Sequence, residues 1–494
     1  MYSATNIPSL RLPPEHTWSP YARRRVLFGQ PVMWHEYDQG GRHLTPAQLA
    51  PYRQQGDEEI DNILDLLHRE GNAIRPGQDI LVLAEQALEK SHQSEGTLSA
   101  AERALKQFYH NYSCLPEWVD VDQLQRGQQV FLAYSPIIGI SLYYRSLVPG
   151  FSISKIAAVL SSTGYLAPPA SRESVQERLI DTGAFLAECF GNPASVTLVP
   201  NGAAWKAALH VRALHAKVRR GLLQRPTSSQ RAWKTAELGV PINQEDMAAT
   251  LLAFSANSLV ACEMVLGFAL SRQEREDYLA TWRYIGWLLG VHVYYPTEAP
   301  RKLSKAHRLR PLDPCGPGWN PKRADRIEHS TAIFESIVAH IMDPDASSVK
   351  IAHHLLRIGR KKMKEGEEES MNNVDGVKKK HSSDELWFYF RCLQCRRFVG
   401  NALADALRLP VHPIWWRRWL LWGFSTTYFV LLTLYTAAAL PWSPLRETII
   451  RFHQKHTRQF VVDWQDSHAK RMQAKLGVTH SCPFAMVAPP QHSL

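Results

Sequence analysis

The chain has 494 residues, 45% of them hydrophobic and 21% charged, an ordinary globular composition with room for one large core or for two or three domains. It is basic, with a formal net charge of +11. Its lysines and arginines are scattered, however, and no zinc-finger spacing or aromatic RNA-binding string accompanies them, which excludes nucleic acid as its partner. Seven cysteines over this length make no disulfide scaffold. The opening MYSATNIPSLRLPPEHTW lacks the apolar core of a secretory signal, so the sequence predicts a cytosol-facing, non-secreted protein with reduced thiols.

Residues 1–55 are rich in proline, arginine and histidine and show no clear periodicity. Helical patterns begin near Asp57 with EEIDNILDLLHREG, which closes on a glycine, and continue in ILVLAEQALEKS and LSAAERALKQFYHNY. They predict an irregular and helical lead-in over 1–114, packed on the main body and without chemistry of its own.

From Trp118 to Val291 helical patterns alternate with proline and glycine breaks, and strand alternation is scarce, so the core is predicted to be all-α. In SRESVQERLIDTGAFLAECF, Ser174 and Glu177 have capping-box spacing. On a 3.6-residue period Arg178, Thr182, Phe185 and Cys189 share one stripe. Gly191, Pro193 and Pro200 then break the chain, and Asn201 is placed to cap GAAWKAALHVRALHAKVRRGLL. There His215 shares a face with Ala208, Val211, Val218 and Leu222, and Arg212 and Arg219 lie one turn either side of it.

A neutral imidazole is the commonest metal ligand, and two arginines beside it could pair with the propionates of a haem. A histidine on an apolar face is more often a satisfied core residue. An arginine and a threonine at i, i+4 are usually a salt bridge and a back-bonded hydroxyl. Spacing alone leaves both readings open. His210 lies about 140° round the helix from His215, so the two cannot face one metal.

Downstream, Asn243 is a predicted N-cap for MAATLLAFSANSLVACEMVLGFAL, and Ser271 with Glu274 forms a capping box for REDYLATWRYIGWLLG, which ends on Gly290. The aromatics in these helices have the spacing of core residues. A polar connector follows Pro296, then helix over 325–360, then a lysine- and glutamate-dense surface insertion over 361–384. Cys392 and Cys395 form a CxxC without a second ligand pair, so they read as structural. In the C-terminal helical region 385–494, residues 419–440 carry no charge and are flanked by Trp415, Trp416, Arg417 and Arg418. That run is long enough to cross a bilayer, while its serines and threonines suit a buried helix as well. The closing residues carry no lipidation box or retention signal.

Six strings in this chain resemble one family. They are EWVDVDQLQRGQQVF, TGYLAPP, the Arg178-x-x-x-Thr182 pair, VRALHAKVR around His215, PINQEDMAATLLAFS, and WRYIGWLLGV, spanning about residues 115–295. They are similar to the rubber oxygenases (latex-clearing proteins) and the endoplasmic-reticulum-bound oxygenase of mycophenolic acid synthesis. The resemblance implies a globin-like all-α core around haem b, here over 115–360, and oxidative cleavage of a carbon–carbon double bond in a lipophilic isoprenoid substrate by dioxygen. It implies His215 as the proximal iron ligand and Arg178 and Thr182 on the distal side. With haem bound, the spacing of Arg212 and Arg219 would set them beside it, and the uncharged run 419–440 allows contact with a membrane surface such as the endoplasmic reticulum. Rubber oxygenases carry a lysine just before the threonine, where this chain has Asp181, and an upstream glutamate with no clear counterpart in SSTGYLAPPASRE. Both departures point to a smaller prenylated or other lipophilic compound in place of polyisoprene. The alternative expectation is a non-catalytic, membrane-associated helical protein that binds haem or senses through it.

Overall fold

A computed structural model of the protein describes residues 23–36, 42–72, 78–93, 98–163, 172–226, 232–291, 326–357, 374–440 and 443–476. TGYLAPP and the segment around it, the polar connector after Pro296, the first part of the charged stretch and the closing residues lie mostly or wholly outside these.

The first described element escapes sequence periodicity because its strands are so short. Strands β1 (Arg23–Leu27) and β2 (Gln30–Trp34) pair antiparallel, with Arg23 opposite Trp34 and Leu27 opposite Gln30. The turn between them has positive φ at Phe28 and Gly29. A Cβ on Gly29 would collide with the backbone of Gly400, so this turn needs glycine both for its dihedral and for close approach.

Helices α1 (Pro46–Arg53), α2 (Glu58–Arg69), α3 (Ile80–Gln93) and α4 (Ala100–Tyr112) form the lead-in. Helix α2 buries Ile60, Ile63, Leu64 and Leu67, the i, i+3, i+4, i+7 stripe of an amphipathic helix. Capping boxes at Thr45–Gln48 and Ser99–Glu102 start α1 and α4. Leu44, Ile60 and Phe108 of this region lie in the same hydrophobic cluster as Trp205, Leu252 and Ile285 of the body, so lead-in and body share one core.

The body continues through α5 (Val121–Ala133), α6 (Ser135–Ser141), a π-helical turn (Leu142–Leu147), α7 (Val148–Gly150), α8 (Ser154–Thr163), α9 (Arg172–Gly191), α10 (Ala194–Thr197) and α11 (Ala203–Leu223). After α12 (Thr235–Leu238) come α13 (Gln244–Phe254), α14 (Ala256–Leu266), α15 (Arg272–Leu288), α16 (Arg326–Ile341), α17 (Ala346–Leu356), α18 (Val374–Ala406), α19 (Trp415–Ala439) and α20 (Ser443–Leu476). The predicted all-α core is what the structure has. Helices α5 and α15 pack closely: Gly127 leaves room for Thr281, whose hydroxyl donates to the Leu124 carbonyl at 3.1 Å. A second cluster joins α8, α17 and α18 around Ile351, Cys392, Cys395 and Phe398.

Local predictions fare unevenly. The Asn243 cap holds, its Oδ1 accepting from the Asp246 N–H at 2.9 Å, and so does the Ser271–Glu274 box. Helix α9 starts at Arg172, two residues ahead of the predicted Ser174 cap. Gly202, rather than Asn201, is the N-cap of α11; Asn201 has φ +67° and accepts from the Tyr109 hydroxyl. The long apolar helix predicted after Asn243 breaks at Ser255. Among the described residues only the stretch Gln244–Leu266 is long and apolar enough to cross a membrane, and it is mostly buried in the body, as core. Helix α18 begins at Val374, so the end of the predicted charged insertion is helical.

Candidate active site around helices α9 and α11

Helix α11 packs against α2, α9 and α15, and its small residues Ala204, Ala208, Ala213 and Ala216 allow close approach. His210 and His215 point to different surroundings, as their 140° separation requires. His210 is buried and its Nε2 lies 2.7 Å from Asp79 Oδ1. His215 has no hydrogen-bond partner among the described residues. Its Nδ1 is enclosed while the residue as a whole is half-buried. Burial, and then the nearby Arg219 cation, push its pKa down to about 4. The ring is therefore neutral across physiological pH and its donor atoms are uncommitted. Val211, Leu214 and Val218 around it are likewise only half-buried.

The two arginines predicted beside the cofactor are both engaged within the protein. Arg212 is fully buried and forks onto Asp57 at 2.5 and 2.8 Å, with a further bond to Glu59 at 2.8 Å. Its guanidinium also lies over the rings of Phe108 and Tyr112. Gly290, with φ +73°, passes so close to the Arg212–Asp57 pair that a Cβ there would strike both partners. Arg219 binds Asp61 at 2.5 Å and the carbonyls of Pro241 and Ile242. Neither side chain is free to clamp a propionate, because α2 of the lead-in supplies the carboxylates; only the Arg212 Nη1 remains without a partner. The signal was present in the acidic first turn of α2, with Asp57 and Asp61 one helical turn apart, but a sequence does not say which basic helix such a turn will face.

On α9, Thr182 donates its hydroxyl to the Arg178 carbonyl at 3.0 Å, the local back-bond that its i, i+4 spacing also allowed. Arg178 is half-buried, with Nη1 3.7 Å from the buried Asp181. Helix α20 packs along α9 and completes this arrangement. The indole of Trp464 donates to Asp181 Oδ1 at 2.9 Å, and Arg471 approaches the same oxygen at 3.3 Å. Ala184 of α9, Ala207 of α11 and Trp464 pack together. Asp181→Ala should cost about 1–3 kcal/mol by stranding these donors. It should also speed cleavage within α20 in limited proteolysis, and an unchanged melting curve and digestion pattern would contradict that role.

Sequence reading also missed a buried charge cluster at the start of α13. Glu245 binds Arg53 at 2.6 Å and Lys155 at 2.9 Å, and burial pushes Asp246 up to about 7. The expected structural role of the CxxC agrees with its surroundings: Cys392 and Cys395 are free and buried, and burial pushes both thiols up, Cys392 to about 12. Among the described residues no three His, Cys, Asp or Glu side chains converge as a metal site.

Fold and site together define an all-α protein in which α11 carries His215, a neutral imidazole without a hydrogen-bond partner among the described residues. The sequence model of the family described as "ER-bound oxygenase mpaB/B'/Rubber oxygenase, catalytic domain" matches residues 154–458. The chain belongs to that family and is an oxygenase. A solved structure of latex clearing protein LCP in the closed state aligns with a TM-score of 0.50 at 18% identity, covering 91% of this chain and 96% of that one. At that identity the likeness is one of fold. No curated protein matches the chain in sequence.

Proposed function

We propose that the protein is a haem-dependent oxygenase that uses dioxygen to cleave a carbon–carbon double bond in a lipophilic, prenylated substrate. The observation that carries this reading is His215, neutral and unpartnered inside the body. A site built by protein donors alone needs several converging ligands, whereas a haem would need a single imidazole from the protein to hold it. His215 fits that requirement, and His210, bound to Asp79, does not. When bound, haem supplies the activation of dioxygen. The half-buried Val211, Leu214 and Val218 would give the cofactor and substrate an apolar lining.

Arg178 keeps its proton at any physiological pH, so it can only donate and stabilise negative charge. Asp181, held by Trp464 and Arg471, would position it. Asp181 projects no cation at the place where rubber oxygenases carry lysine, which favours a substrate other than polyisoprene. Arg178→Ala should retain haem and lose about a hundredfold to a thousandfold in turnover, the effect of removing one preorganised donor. Thr182→Ala should lose less, because its hydroxyl is spent on a helix carbonyl. Haem content and turnover of both variants decide this, and unchanged turnover with intact haem would remove them from the mechanism. The reading as a whole is tested by a Soret band in purified protein, followed by carbonyl products carrying label from isotopic dioxygen when a prenylated substrate is supplied.

A further inference from the structure

Helix α19 turns most of its large apolar side chains outward and its hydroxyls inward, with Leu421, Phe429 and Leu432 also packed against the body. Facing the body, Ser425 and Thr426 accept from Arg397, and Thr433 donates to the Val265 carbonyl at 2.9 Å. Facing away from it, Trp419 is 65% exposed, Leu420 60%, Leu431 60% and Leu434 58%, with more exposed aromatics between them. A helix on a water-bathed surface has the opposite arrangement. The burial of so many large apolar side chains must therefore come from something outside this chain.

From this exposed apolar face we infer that the outer face of α19 lies in the interfacial layer of an anionic phospholipid bilayer. Three features favour lipid over a protein partner. The helix has no acidic residue, Arg417 and Arg418 sit at its N-terminal end, and the whole chain carries a net charge of +11. Trp415, Trp416, Trp419 and Trp422 gather at that same end, and their amphipathic rings suit the headgroup level. A cleft of about 350 Å³ walled by Met264, Val265, Phe398, Phe429 and Leu434 continues the apolar surface inward beside Arg397, giving room for part of a lipid chain.

The helix is long enough to cross a bilayer, at about 1.5 Å per residue over its 25 residues. Its inner side is bonded to α14 and α18, so only its outer face is available to lipid. This inference stands independently of the proposed oxygenase chemistry.

The test is sedimentation of the full chain with vesicles of phosphatidylcholine alone or mixed with phosphatidylserine. The intact protein should pellet with the mixed vesicles, less with the neutral ones, and less again at high salt. A Trp419→Ser/Leu420→Ser/Leu431→Ser/Leu434→Ser variant should bind at least tenfold more weakly while keeping its circular dichroism and melting curve, since these side chains face outward. Should that variant fail to fold, Arg417→Gln serves instead, with an expected loss confined to the phosphatidylserine-dependent part. Intact protein left in the supernatant with both vesicle types would overturn the inference. So would equal binding by the variants, or a concentration-dependent dimer in analytical ultracentrifugation without vesicle binding, which would assign the face to a second copy of the chain.

Discussion

His215→Ala should purify without a Soret band while retaining a helical circular dichroism spectrum. The imidazole makes no hydrogen bond among the described residues, so removing it orphans no buried donor or acceptor, and the fold loses little. It would hold the cofactor's iron, so haem occupancy should collapse, and added free imidazole should restore part of it by entering the vacated space. His210→Ala is the control: it breaks the bond to Asp79 and lowers the melting temperature, yet should keep its haem. Full haem in His215→Ala together with loss in His210→Ala would reverse the assignment. The same residue sets a pH window. Its folded pKa of about 4 lies below the unfolded value near 6.5, so between these the unfolded chain binds more protons. The contribution of neutral His215 to stability is complete above about pH 6.5 and is lost as pH falls toward 4, which acid titration of wild type against His215→Ala would reveal.

Arg212→Ala should be among the most destabilising single changes in the molecule, at about 3–5 kcal/mol. The side chain of Asp57 is 3% exposed, and without the guanidinium its carboxylate would be an uncompensated charge in the interior. Arg212→Lys should recover only part of the loss, because an ammonium cannot fork onto Asp57 and reach Glu59 together. Pairing Asp57→Asn with Arg212→Met removes both charges and should be milder than Arg212→Ala alone, which a double-mutant cycle would measure. The decisive readout is the melting temperature of haem-free protein. If Arg212 served the cofactor alone, apo wild type and apo Arg212→Ala would melt together; the Asp57 pair requires them to differ.

Much of this protein was determined by its sequence alone. Apolar periodicity, proline and glycine breaks and the caps at Asn243 and Ser271 were enough for an all-α body, because helix formation and capping are local. The positions of Arg178, Thr182 and His215 on neighbouring helices, and the impossibility of His210 and His215 serving one metal, followed from the helical repeat. What each side chain does depended on its partners. Arg212 and Arg219 read as cofactor clamps until α2, more than 150 residues upstream, was seen to supply Asp57 and Asp61. Asp181 read as a missing lysine until Trp464 and Arg471 of α20 closed over it. The uncharged run at 419–440 fitted both a spanning helix and a core helix; only the tertiary packing showed which of its hydroxyls turn inward and that its tryptophans turn outward. The difference is physical. Backbone hydrogen bonds and periodicity act within a few residues, whereas ion pairing and burial are settled by whichever distant segment the fold brings alongside.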